Sequence, residues 1–157
     1  ADQRNQETMN DIIKLITFWF VVAHADQGHQ KRTVQLGVHF EEVGEMIAAL
    51  QSTDPVTTEV LQCAAQAIED LASHLKTNSK TAHLQADPLL LLDSLCDQTV
   101  TAAGVAYDFG FQFPQALREV NRSNFSKFVN GAPVFDENGK IKKGPDYTPP
   151  NLISYVN

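Results

Sequence analysis

Positive charge is scarce in this chain and unevenly placed. Twelve Lys and Arg stand against nineteen Asp and Glu, a net charge of −7. That balance argues against sequence-independent binding of a nucleic acid polymer or an anionic membrane surface, since both need a basic patch. No Lys or Arg falls between Thr33 and Leu75, or between Thr81 and Leu117. Cysteine is also rare. Cys63 and Cys96 make no CxxC or other metal spacing, which predicts reduced, buried thiols in a cytoplasmic protein. The longest apolar stretch, Ile12 to Ala25, contains Lys14 and His24 and is too short to span a bilayer. It also lacks the basic n-region and cleavage site of a signal peptide. There is no Gly-rich phosphate loop and no internal repeat.

What is present suits one globular domain over 1–157: the 157 residues are 43% hydrophobic and 20% charged. The pattern is helical almost throughout. After a polar, frayed start (1–8), a first helix is expected from Met9 to Ala25, with Ile12, Ile16, Trp19, Phe20 and Ala23 at helical spacing. Asp26-Gln27-Gly28 breaks it. A second helix runs from Lys31 to Gln51 and a third from Val56 to Lys76, the latter capped by Asp54 with Pro55 at its first turn. Asp87-Pro88 repeats that signal and opens a fourth helix to Phe109, closed by Gly110. Pro114 to Phe125 reads as a fifth. Beyond it, 128–157 is extended: Val134–Ile141 suggests a small hairpin around Asn138-Gly139, and the prolines of KKGPDYTPP permit only extended chain. The expected fold is all-α, an antiparallel bundle of four to five helices with a short hairpin and tail, completed by dimerisation.

Two of these helices carry acids at one-turn spacing. On the second, Glu41, Glu42 and Glu45 lie opposite the apolar face Leu36, Phe40, Val43, Ile47 and Leu50, and like charges so placed repel unless a cation binds. The set reads either as a solvated face or as a cation site. On the fourth, Asp93 and Asp97 border the apolar stripe Leu89, Leu92, Cys96, Val100, Ala103 and Tyr107, where an unpaired carboxylate is costly. Helices packed at about 8–10 Å could turn both sets toward one gap. All-oxygen ligands favour Mg²⁺ or Mn²⁺, and Mg²⁺ commonly completes its shell with substrate phosphates. Di-iron bundles need Glu-x-x-His on two helices, which none of these acids supplies. Trp19 reads as core, with stacking on a nucleobase as the alternative.

Glu41-Glu42-x-x-Glu45, a later helix ending its acid pair at Asp97, then NRSNFSK and GKIKKGPDYTPP together resemble the MazG-like all-α nucleoside triphosphate pyrophosphohydrolases. The likeness is to the short bacterial and phage type and runs from Ile12 to the C-terminus. It implies hydrolysis of an NTP or dNTP between the α- and β-phosphates, with Mg²⁺ (or Mn²⁺) as cofactor, in nucleotide-pool cleansing or remodelling. Glu42, Glu45 and Asp97 would be metal ligands, and Glu41 would bind a second ion or orient the attacking water. Arg122, Asn124 and Lys127 would hold phosphate oxygens, while Lys143 and Tyr147 would close over the nucleotide. The family's usual Glu-x-x-Asp is broken here, because Ser94 stands three before Asp97 and only Asp93 can substitute. The resemblance also implies a homodimer or homotetramer. A phosphoribosyl-ATP pyrophosphohydrolase shares that fold and is an alternative. So is a non-catalytic helical interaction module whose acidic face binds a basic partner.

Overall fold

The computed structural model describes residues 3–23, 29–135 and 141–156. It is all-helical: α1 (Gln3–Ala23), α2 (His29–Ala48), α3 (Pro55–Thr77), α4 (Pro88–Asp108) and α5 (Phe113–Phe125), then a short 3-10 turn at Ile153–Tyr155. No strand occurs among the described residues, only isolated bridges at Val129–Ala132 and Phe135–Ile141. The helix starts follow local chemistry. Asp54 accepts the Thr57 N–H at 2.8 Å, and Asp87 accepts those of Leu89 and Leu90, with a proline at each first turn. The end of α4 is equally local. Gly110 takes φ +74°, the Phe111 N–H reaches the Ala106 carbonyl, and the Gly110 N–H reaches that of Tyr107, the paired bonds that a left-handed glycine makes possible.

Some boundaries differ from expectation. The first helix begins at Gln3 rather than Met9, because its polar opening residues contain no glycine or proline to stop a helix. The second ends at Ala48 instead of Gln51. The expected break at 26–28 and the Asn138-Gly139 turn lie outside the described residues. A different Asn-Gly pair makes a turn: Asn130 (φ +52°) and Gly131 (φ +78°) connect the Val129–Ala132 bridge, the two positive φ values a tight reversal needs.

The chain divides into two compact units, Asp26–Ala86 and a discontinuous one made of Ala1–Ala25 with Asp87–Asn157. The first is the α2–α3 hairpin. Its seam on α2 runs through small residues: Thr33, Gly37 and Gly44 are buried, while Leu36, Phe40, Val43 and Ile47 are only half-buried and Leu50 is exposed. A Cβ on Gly37 would stand 2.9 Å from the Ala72 carbonyl oxygen and 3.2 Å from Leu75 Cβ. The helices therefore approach closely through missing side chains, and Ala72 and Leu75 are buried against them. The apolar face Leu36, Phe40, Val43, Ile47 and Leu50 is thus at most half-covered.

In the second unit α1 packs on α5. Ile12 and Ala23 are fully buried, and the aromatic rings fill the contact: Trp19 stacks on Phe128 (5.9 Å), Phe18 on Phe125 (6.0 Å), and Phe125 meets Phe128 edge-on. By contrast, α4 is nearly bare. Leu89, Leu92, Val100 and Tyr107 are all exposed, and Ala106 is its only buried residue. Among the described residues α4 is the one helix long and apolar enough, by length and composition alone, to cross a membrane. Both cysteines are exposed, contrary to the expected burial, because Cys63 and Cys96 sit on helix faces that receive no neighbour.

Candidate functional site

The acids of α2 do not share one environment. Counting from the buried positions, Thr33, Gly37, Glu41 and Gly44 succeed each other at spacings of four, four and three, which places Glu41 along the seam with α3. There Lys76 donates to its Oε1 at 2.6 Å. Lys76 lies one position beyond the stretch that lacks basic residues, so the expectation that nothing neutralises the cluster is corrected. A Cβ on Gly37 would fall 2.8 Å from Lys76 Cγ. The bare backbone of Gly37 is thus what lets the lysine stem cross α2 to reach Glu41. Both ends of the pair are partly solvated, with Lys76 31% and Glu41 45% exposed, so this is a registering contact between helices more than a source of stability.

Glu42 and Glu45 are exposed on α2, three residues apart. A Cβ at Gly44 would lie 3.9 Å from the backbone nitrogen of Glu69, which puts Glu45 near the level of Glu69 and Asp70 on α3. Those two acids were not singled out in the sequence, and only the antiparallel register of the hairpin draws attention to them. A nearby hollow of about 570 Å³ is bordered by Ile47, Leu50, Leu61, Gln66 and Glu69. Within either unit, no three described His, Cys, Asp or Glu side chains form a group that could hold a metal ion. The donors still suit Mg²⁺, which takes oxygen ligands, keeps several waters and needs only one or two protein carboxylates. Glu42 and Glu45 meet that demand. A preformed cage of all three glutamates does not exist, because Glu41 is drawn off by Lys76.

On α4, Asp93 and Asp97 are exposed. The burial cost expected for them does not arise in this chain, since the apolar stripe beside them is itself uncovered. Thr101 Oγ1 bonds the Asp97 backbone carbonyl at 2.9 Å and leaves its carboxylate outside that contact.

The basic residues near the C-terminus are more committed than their sequence suggests. Arg122 makes a forked pair with Glu119, Nε to Oε2 and Nη2 to Oε1, both at 2.8 Å. It also donates to the Thr148 hydroxyl and, at 3.3 Å, to the Pro149 carbonyl. Asn124 Oδ1 accepts from Lys127 Nζ at 2.8 Å, and Lys143 Nζ sits 4.7 Å from the centre of the Tyr147 ring. Trp19 stacks on Phe128, three residues past the end of α5.

Arg122, and after it the Asn151 N–H, hold the Glu119 carboxyl down to about 2 from its ordinary 4.5. A group with a lowered folded pKa contributes stability that is full above its unfolded value and is lost as pH falls through the folded one. The thermal midpoint of wild type over Glu119→Gln should therefore hold a constant difference above roughly pH 5 and lose it between pH 4.5 and 2. A difference that collapses near neutrality would contradict this.

No protein-family profile, curated protein or solved structure matches this chain.

Proposed function

We propose that this protein is a Mg²⁺-dependent pyrophosphohydrolase of nucleoside or deoxynucleoside triphosphates, releasing a nucleoside monophosphate and pyrophosphate. The observation that carries the reading is the exposed, one-turn pair Glu42 and Glu45 beside a third glutamate tethered by Lys76. Such carboxylates gather negative charge that a hydrated divalent cation relieves. Bound there, the ion would supply charge neutralisation at the phosphates and a more acidic water. Glu41, fixed in direction by its lysine, is placed to orient a water by hydrogen bonding. Taken by itself, the unit of α1, α4 and α5 carries exposed carboxylates at Asp93 and Asp97 and, in Lys127, Asn124 and Lys143, donors of the type suited to phosphate oxygens.

The same proposal includes self-association. The bare apolar side chains of α4 call for a cover, and a second copy completing an antiparallel bundle would provide it. Sedimentation should then report a multiple of the 17.3 kDa chain mass, and a strictly monomeric species at all concentrations would refute this part.

The direct test is a melting curve with and without Mg²⁺ plus a non-hydrolysable dNTP. Ligand that binds only the folded state raises the midpoint, by about 2.7 kcal/mol of stability at a hundredfold excess over Kd. An unchanged midpoint across the common nucleotides would reject the reading and favour an interaction module, whose affinity for a basic partner would collapse with salt.

A further inference from the structure

Past Lys143 the chain returns along α5 and is held at both ends. The Gly144 N–H donates to the Lys127 carbonyl at 3.1 Å. A Cβ at Gly144 would come within 2.9 Å of Val129 Cγ2 and 3.1 Å of that same carbonyl oxygen, so glycine permits the crossing. Pro145 sits in the following turn, closed by the Tyr147 N–H on the Gly144 carbonyl. At the far end the Gln112 N–H donates to the Tyr155 carbonyl at 2.9 Å.

Between these ends the attachment is polar. The Thr148 N–H donates to Ser126 Oγ (3.0 Å), and its carbonyl accepts from Ser123 Oγ (2.9 Å). Arg122 bonds the Thr148 hydroxyl and the Pro149 carbonyl, and Glu119 Oε1 accepts the Asn151 N–H at 2.9 Å. Nine of the twelve residues of the segment are exposed, Ile153 at 82%, while Gly144, Tyr147 and Tyr155 are half-buried. It buries little apolar surface, so hydrogen bonds and not a shared core hold it down.

We propose that the segment from Gly144 to Tyr155 is a strap that opens and closes as one unit, with the Glu119–Arg122 pair as its fastener. The pair is complete within α5, three residues apart, and presents a guanidinium already oriented by its carboxylate. The strap docks on that prepared fork through two neutral acceptors on Arg122 and one N–H donated to Glu119. Apart from the bond from the buried Ser123, these contacts are exposed polar ones, and few buried apolar contacts mark the low-stability end of a fold, where a segment opens without the helices beneath it. Opening would carry Tyr147 away from α5, with Gly144 as the pivot.

Amide hydrogen exchange on the full chain, without metal or nucleotide, tests this independently of the enzymatic reading. The useful probes are the Thr148 and Asn151 amides, because they have different acceptors. Of the two amides' acceptors, Glu119→Gln weakens only that of Asn151 while also removing the carboxylate from the fork, and Arg122→Lys removes neither acceptor but destroys the fork, which a point-like ammonium cannot reproduce. Both variants should speed both amides by a common factor of about ten or more, with interior amides of α5 unchanged. Acceleration confined to Asn151 in Glu119→Gln would overturn the proposal, as would an unmoved Thr148 in Arg122→Lys. Equal acceleration throughout α5, or free-peptide exchange of both amides in the wild type, would do the same.

Discussion

If the proposed activity holds, alanine in place of Glu45 should abolish pyrophosphate release while the helical circular dichroism signal stays intact. The two halves of that expectation have separate causes. Loss of a mere outer-shell partner of a metal typically costs 10–100-fold, so loss of a carboxylate that holds the ion itself should cost at least about 100-fold. The fold survives because Glu45 is exposed on α2, and surface replacements of this kind stay within about 0.5 kcal/mol. Asp97→Ala should likewise leave the fold intact, since the Thr101 hydroxyl bonds its backbone carbonyl, which alanine retains. Glu41→Gln is a different experiment, because it also breaks the bond from Lys76. Full turnover by Glu45→Ala, assayed as pyrophosphate released from a dNTP panel, would remove the enzymatic reading.

The largest expected effect on stability is at Gly37, where the sign is opposite to that at its neighbour one heptad on. Replacing a helical glycine with alanine ordinarily stabilises by about 0.8–1 kcal/mol. At Gly44 the new methyl would meet Ile68 Cγ2 at 3.4 Å, an ordinary contact. Gly44→Ala should therefore keep most of that gain. At Gly37 the methyl would lie 2.9 Å from the Ala72 carbonyl oxygen, which is backbone and moves only if α3 moves. Overpacking of this kind costs roughly 1–3 kcal/mol, and it also pushes Lys76 off its path to Glu41. The balance predicts a net loss of up to about 2 kcal/mol for Gly37→Ala. Urea unfolding at an unchanged slope reads both values. If Gly37→Ala came out more stable than wild type, the close approach of α2 and α3 would be wrong.

Much of the helical layout was readable from local signals, and the failures share a cause. Asp54-Pro55 and Asp87-Pro88 mark α3 and α4 correctly because a cap and its proline act within four residues. Gly110 ends α4 for the same reason. The seam of α2 is harder to read, because periodicity counts bulky apolar residues, whereas the positions this hairpin buries on α2 are Thr33, Gly37 and Gly44. Small residues at that spacing were the available clue. The partners of the candidate site were out of reach. Lys76 meets Glu41 across 35 residues, and Arg122 meets Thr148 across 26, distances at which sequence spacing says nothing about contact. The exposed thiols and the uncovered acids of α4 belong to the same class, since the wheel identifies a face without saying whether anything lies against it.

The nesting of the two units has a consequence for how the chain assembles. The α2–α3 hairpin joins helices adjacent in sequence, so its contacts close short loops and can form early. The unit containing α1 and α5 is interrupted by that hairpin, and α1 must wait for a partner roughly a hundred residues downstream. During synthesis from the N-terminus, the apolar side chains of α1 would therefore stay unsheltered until α5 leaves the ribosome. That interval, before Phe125 of α5 and Phe128 just after it are available to Phe18 and Trp19, is when the nascent protein is most exposed to aggregation.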